Sequence, residues 1–322
     1  MARNTPIAFV AVVLAFLLSV PYCGAADAVF SSDGGRVYLI NNIDSKPAVE
    51  EIDLNKKTTR KIPLTQLESS DSIRGITCTD KNRFFCTTAK TVWSLEPQSG
   101  RLTKIRDAPN GVSFWRIADN PKMQRVFVTT DDREQPVFTF KDPGDWIPVR
   151  MRRHPYPSCL AFAANGELFF AAYGDLWFGE IQTDKVDEQD YFSIAAYRYA
   201  PLATLETQNT TPAEIGVADI GVNRDTVYLQ LSRMGGSGDG WFARLPRPSL
   251  KRDTEGEMEM FYQPKERLPI YLKALRSLEI LGEDSRAGAI CVSPDGTRVH
   301  YVLHGKHWLV TNGRTEELHL RE

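Results

Sequence analysis

Three histidines, His300, His304 and His307, fall within one short stretch near the end of the chain. On a helix, spacings of four and three would gather their imidazoles on one face, where zinc binds. Here the apolar residues alternate on either side of Gly305-Lys306, which reads as strand, turn and strand. No carboxylate or cysteine completes a site locally, so the expectation is a solvent-exposed polar hairpin and no metal. The glycine-rich run Gly235-Gly236-Ser237-Gly238-Asp239-Gly240 lacks the Lys-Ser/Thr ending and following helix of a phosphate loop. Ser237 has no Gly-x-Ser-x-Gly around it, and it lies between two predicted strands rather than in the strand-to-helix turn of a nucleophile elbow. Asp239 alone brings too few oxygens for calcium. These motifs point to no catalytic residue and no cofactor.

Arg150-Met151-Arg152-Arg153-His154 is the one basic cluster. The whole chain carries 39 Lys and Arg against 41 Asp and Glu, a formal charge of −2. That balance argues against nucleic acid as a partner and leaves a solvated loop, with an anionic partner as second reading. Arg3, the apolar run from Ile7 to Val20 and the small residues Gly24-Ala25-Ala26 have the order of a cleavable signal peptide over residues 1–26. The run is about 14 residues, short of the roughly 20 that span a bilayer. The expected product is one exported domain over 27–322, periplasmic or extracellular, with no stable membrane insertion after cleavage. Four cysteines remain in it, Cys78, Cys86, Cys159 and Cys291. Cys78 and Cys86 flank a turn and could face each other across a hairpin, or stay as buried thiols. Asn209-Thr210-Thr211 matches a glycosylation acceptor, though Pro212 follows it.

The elements that must position any site come from a repeat. Thr91-Val92-Trp93-Ser94-Leu95, Asp175-Leu176-Trp177-Phe178, Gly240-Trp241-Phe242-Ala243 and His307-Trp308-Leu309-Val310 share a short aromatic strand. Val137-Phe138-Thr139-Phe140 fills the same slot with phenylalanine, and Val49–Leu54 fills it with aliphatics. Such residues suit a pleated, half-buried surface. Ahead of each comes apolar strand, polar turn, apolar strand, most clearly in Phe30-Ser31-Ser32-Asp33-Gly34 and Val292-Ser293-Pro294-Asp295-Gly296. A weaker fourth strand usually follows, as in Thr59–Leu64 and Leu102–Ile105. Most of the six copies recur every 40–45 residues or so, the length of one four-stranded propeller blade, and the later two intervals are longer and must carry insertions.

The Ser-x-Asp-Gly turn, a basic residue, and an aromatic strand opening with Asp or Gly resemble the WD40-like repeat of TolB-type proteins. Ser293-Pro294-Asp295-Gly296 matches that turn letter for letter, and the middle copies are degenerate. The resemblance implies an all-β β-propeller, and the six copies of the unit make it six-bladed, with a seventh blade possible in the long Leu245–Gly288 interval. One short edge helix is expected within Leu268–Gly282, where Ile270, Ala274, Leu278 and Leu281 share a helical face. Two-sheet sandwiches also give many short strands, but do not require the aromatic strand to return in phase.

In a propeller the first strand of each blade lines a central channel. Arg74, Arg116 and Arg286 each fall one to four residues before a predicted inner strand, and converging guanidinium groups would bind a carboxylate or phosphate. The plainer reading pairs each with an acid such as Asp71, Asp119 or Asp284. The expected function is a non-enzymatic binding platform for a protein or glycan, through Asn41–Ala48, Asp131–Gln135 and Arg233–Gly240 on one face. The alternative is a propeller-type hydrolase or lactonase holding a divalent cation in the channel, with Asp119, Asn165, Asp219 and Asn223 as the available oxygens.

Overall fold

The structure, a computed structural model, describes residues 28–43, 45–141, 144–152, 156–186, 189–200, 215–233, 240–247, 277–283 and 288–321. The signal-like segment, the Asn209 acceptor, Arg286 and most of the Arg233–Gly240 loop lie outside them.

The described residues hold strands and turns and no helix. The first sheet has β1 (Ala28–Phe30), β2 (Arg36–Ile43), β3 (Lys46–Asp53) and β4 (Thr58–Pro63). The second has β5 (Gly75–Cys78), β6 (Phe84–Thr87), β7 (Thr91–Glu96) and β8 (Arg101–Asp107). Two further up-and-down units follow: β9 (Phe114–Asn120), β10 (Arg125–Thr130), β11 (Val137–Phe140) and β12 (Trp146–Arg152), then β13 (Cys159–Phe162), β14 (Leu168–Ala172), β15 (Asp175–Val186) and β16 (Gln189–Ala200). These two share one eight-stranded sheet, because the outer strands β12 and β16 pair in parallel from Val149↔Phe192 to Arg152↔Ala195. The last two sheets are β17 (Ile215–Val222), β18 (Thr226–Arg233), β19 (Gly240–Pro246) and β20 (Glu279–Glu283), then β21 (Gly288–Val292), β22 (Arg298–Leu303), β23 (Lys306–Thr311) and β24 (Arg314–Leu318).

The first strands β1, β5, β9, β13, β17 and β21 stand side by side, and β21 packs beside β1. The sheets therefore close a ring around an axis in a propeller-like arrangement. The closure follows from composition. β6, β10 and β14 are buried on both faces, so each unit is apolar on two sides and must lie between two others. Phe84, Phe127 and Phe169 are almost fully buried in three different inter-sheet cores, each contributing about 1.5–3 kcal/mol on burial.

The recurring turn has a local cause. Ser31 Oγ donates to Asp33 Oδ1 (2.5 Å) and accepts from Arg36 N (3.0 Å), while Asp33 Oδ1 also accepts from Gly35 N (2.8 Å). Ser293, Asp295, Thr297 and Arg298 repeat the set at 2.6, 2.9 and 3.1 Å. Gly34 and Gly296 take φ of 66° and 68°, where a Cβ is disfavoured. At Gly34 a side chain would also collide with the Arg298 guanidinium of the last sheet, which reaches across to lie over the Phe30 ring. The aromatic strands are in phase: Trp93, Phe138, Trp177, Trp241 and Trp308 all lie on the third strand of their units.

One expectation of the fold fails. No helix forms among the described residues of 268–282: Glu279–Glu283 is β20, paired to β19 through Trp241↔Glu283 and Arg244↔Glu279. Arg244 Nε and Glu279 Oε2 meet at 2.9 Å across that pair, and the open edge of β19 gains its ladder partners. Leu278 and Leu281, counted on one helical face, instead pack against two different cores; Ile270 and Ala274 lie outside the described residues. Of the two readings left open for Cys78 and Cys86, the unbridged one holds: their strand partners are Phe84 and Ile76, and no disulfide joins any of the four described cysteines.

Among the described residues, no strand is exchanged between the first and last units. They are joined by a core containing Phe30, Ile52, Cys291 and Leu309, and by a C-terminal clasp. Arg321 N donates to Lys57 O (2.9 Å), and its carbonyl accepts from Thr59 N (2.9 Å). Leu320 packs against the same core. Deleting Leu320–Glu322 is expected to lower stability by about 1–3 kcal/mol in urea unfolding, without changing the circular dichroism of the folded protein.

Candidate functional site

The starts and ends of the first strands define two ends of the axis with different chemistry. At the starting end, Arg74 precedes β5 and Arg116 lies within β9. Arg116 is 3% exposed, and its Nη1 donates to Arg74 O (3.4 Å) while its Nη2 reaches Ala218 O on β17 (3.5 Å). This side chain therefore reaches across the inside of the ring past β13, which stands between β9 and β17. Arg74 is half-buried and donates Nη1 to Phe114 O (3.2 Å). Two of the three arginines singled out from sequence thus come together at one rim, with carbonyls receiving donors from both.

At the opposite end is a cavity of about 160 Å³. Every first strand contributes an apolar wall: Phe30, Ile76, Ile117, Leu160, Ile220 and Ile290. Thr79, Asp80, Pro121, Ala164 and Pro294 also line it, so it abuts the turns that join first to second strands. Asp119 projects among them. Its Oδ1 is buried and accepts no hydrogen bond. Burial first, and then the Asp80 carboxylate, raise its pKa to about 7, against the pull of Arg83. Cys78 shares this wall, its thiol pushed up to about 12 by burial and then by Asp119.

The other oxygens that sequence offered for a cation have local work. Asn165 Oδ1 accepts from Glu167 N (3.2 Å) and from Arg247 Nη2 (2.9 Å). Asn223 Oδ1 accepts from Asp225 N (3.0 Å) and Thr226 N (2.7 Å), an Asx turn. Asp219 is buried on β17, with Oδ1 accepting from Ile220 N (2.9 Å). Among the described residues, no cluster of three or more His, Cys, Asp or Glu could hold a metal ion.

The histidine hairpin is not solvent-exposed as expected. His304 sits at its tip, but His300 is completely buried, with Nε2 3.1 Å from His307 Nδ1. Alternation along β22 turns His300 away from the face of Val299 and Tyr301 and towards the first unit. Glu50 on β3 acts on His307 from there. Burial pulls His300 down to about 3 and lowers His307 as well. The pair is a neutral element of the joint between first and last units. Sequence distance hid this, because the burying residues come from the other end of the chain.

The loop face at the starting end carries a feature that sequence reasoning missed. Tyr173 and Gly174 are the two central residues of the β14–β15 hairpin, with φ of 53° and 82°. Positive φ at both positions is the type I′ turn, which normally takes Asn-Gly. Tyr173 is 58% exposed. Tyr156, in the connection from β12 to β13, is near enough for Arg133 and Tyr173 to act on its phenol. The only sequence signal was a bulky residue before glycine in a hairpin.

No family model matches the sequence, and no curated protein matches it. Solved structures do, and the class they define is the β-propeller. A calcium-binding protein, regucalcin, from Agrobacterium tumefaciens aligns with a TM-score of 0.52 at 11% identity, covering 92% of this chain and 92% of that one. A gluconolactonase from Xanthomonas campestris aligns with a TM-score of 0.51 at 10% identity, covering 88% and 84%. At such identities the likeness shows the fold alone.

Two pH dependences follow. Folded Asp119 keeps its proton to about pH 7 while the unfolded chain releases it near 4, so this group costs stability as pH rises between those values. Asp119→Asn should therefore gain on the natural protein by about 1–3 kcal/mol between pH 4 and pH 8, read from urea midpoints. The histidines act oppositely. Their folded pKa values lie below the unfolded one, so their contribution is complete above about pH 6.5 and falls as the solution is acidified. A His300→Leu protein should show a shallower loss of stability between pH 6.5 and 4.5.

Proposed function

We propose that the chain is an exported six-bladed β-propeller that works as a binding platform, recognising a protein partner through the loop face around Tyr173. The TolB-type resemblance of the Ser293–Gly296 turn and the ring of first strands support the blade count. The signal-like order of residues 1–26 supports export. The observation that carries the platform reading is the turn itself. A tyrosine held at positive φ stores backbone strain, and such strain is characteristic of functional positions. Exposed tyrosine beside tyrosine and arginine is also the chemistry of interface hot spots. Asp131–Gln135, which carries Arg133, joins second to third strands as Tyr173 does, and half-buried Arg74 adds positive charge to the same rim.

The rival reading is a hydrolase or lactonase with a divalent cation in the channel. The regucalcin and gluconolactonase likenesses support it only as far as the fold. Against it, Asn165 and Asn223 are engaged in turns.

Tyr173→Gly separates structural from functional roles. Relief of the turn should raise stability by about 1 kcal/mol, whereas capture of the partner from the extracellular or periplasmic fraction should fall at least tenfold. Arg133→Ala should weaken capture without the gain. Unchanged capture by both proteins would rule this face out. Retention by a glycan array would move the reading from protein to carbohydrate, and stoichiometric calcium in the purified protein would favour the rival.

A further inference from the structure

The cavity at the far end of the axis is independent of the loop face and has no part in the reading above. Its size is close to the roughly 150 Å³ that encloses a benzene-sized guest in an apolar protein interior. Six first strands supply an aliphatic or aromatic wall, and that wall alone would suit a neutral hydrocarbon.

Asp119 changes the chemistry. A carboxyl with a buried, unpartnered oxygen is costly unless something in the cavity bonds to it. The charged groups acting on it come from the β5–β6 turn: Asp80, which also lines the cavity, raises its proton affinity, and Arg83 opposes that. Arg83 Nη2 is turned to Lys141 O (3.3 Å). Cys78, the other titratable wall group, stays a neutral thiol in this environment and leaves the field to the carboxylates. Asp33, in the next turn around the ring, acts on Cys78 with the same negative sign. The polar end of the cavity is therefore a site of negative potential with one unused acceptor.

We propose that this axial cavity binds a small organic monocation, an aryl- or alkylammonium, whose apolar body packs among the first-strand side chains and whose ammonium donates to Asp119. The cation replaces a proton on the carboxyl, so binding below neutrality releases that proton to solvent. Metal ions fit less well, because the carboxylates of Asp119 and Asp80 against a largely apolar wall offer few of the six to eight oxygens that calcium takes.

Titration calorimetry on the full chain tests this with three probes of matched shape: benzylammonium, benzyl alcohol and benzoate. At pH 8 benzylammonium should bind at least tenfold more tightly than benzyl alcohol, and benzoate should not bind. Asp119→Asn, which is close in shape and loses no hydrogen bond seen at Oδ1, should bring benzylammonium to the level of benzyl alcohol while leaving the alcohol unchanged. In the natural protein the benzylammonium affinity should weaken as pH is lowered from 8 to 5, with proton release seen as a dependence of heat on buffer. Ala161→Leu, which extends a wall residue into the space, should abolish both ligands. Equal affinity for ammonium and alcohol, undiminished benzylammonium binding by Asp119→Asn, or no binding of either probe would overturn the proposal.

Discussion

The constraint beneath everything else is that each four-stranded unit is apolar on both faces. A sheet whose second strand is buried throughout, as β6, β10 and β14 are, cannot leave either face in water. Stacking such sheets in an open row would leave two apolar faces at the ends. A closed ring removes both, and the joint between last and first units is then the costly place to leave weak. The described residues secure it through shared apolar side chains, a neutral histidine pair and the Arg321 clasp.

Closing a ring also creates an axis, and polar groups on first strands have to be satisfied there. The two ends solve this differently. At one, Arg116 reaches inside the ring and spreads its donors over carbonyls beside β5 and on β17, which suits a guanidinium better than a point charge. At the other, no comparable side chain crosses among the described residues that line the cavity, and Asp119 is left with an open acceptor. A charge that is bonded out of reach of solvent serves the scaffold. One that keeps an unused oxygen facing a cavity is available to a ligand.

The loop face obeys another economy. Tight two-residue hairpins with positive φ occur elsewhere too, His304-Gly305 between second and third strands and Asn312-Gly313 between third and fourth. Tyrosine in that place gives up local backbone comfort for an exposed ring. The rest of its blade tolerates this because Phe169, Phe170 and Leu176 hold the flanking strands in fully buried positions.

The repeat unit, its turns and its aromatic third strand were legible in the residues, because their causes are local. The Ser-x-Asp-Gly bonds close within six residues, and alternation of apolar side chains is a property of one strand at a time. What tertiary structure alone decided involves partners far away in the chain. Arg116 finds its acceptor 102 residues on, His300 is buried by the unit at the opposite terminus, and the carboxyl of Asp119 takes its character first from burial within the ring and then from Asp80 of the β5–β6 turn. The segment around Glu279 shows the same division. Its short apolar pattern fits helix or strand equally, and the open edge of β19, supplied by residues more than 30 positions earlier, chose the strand.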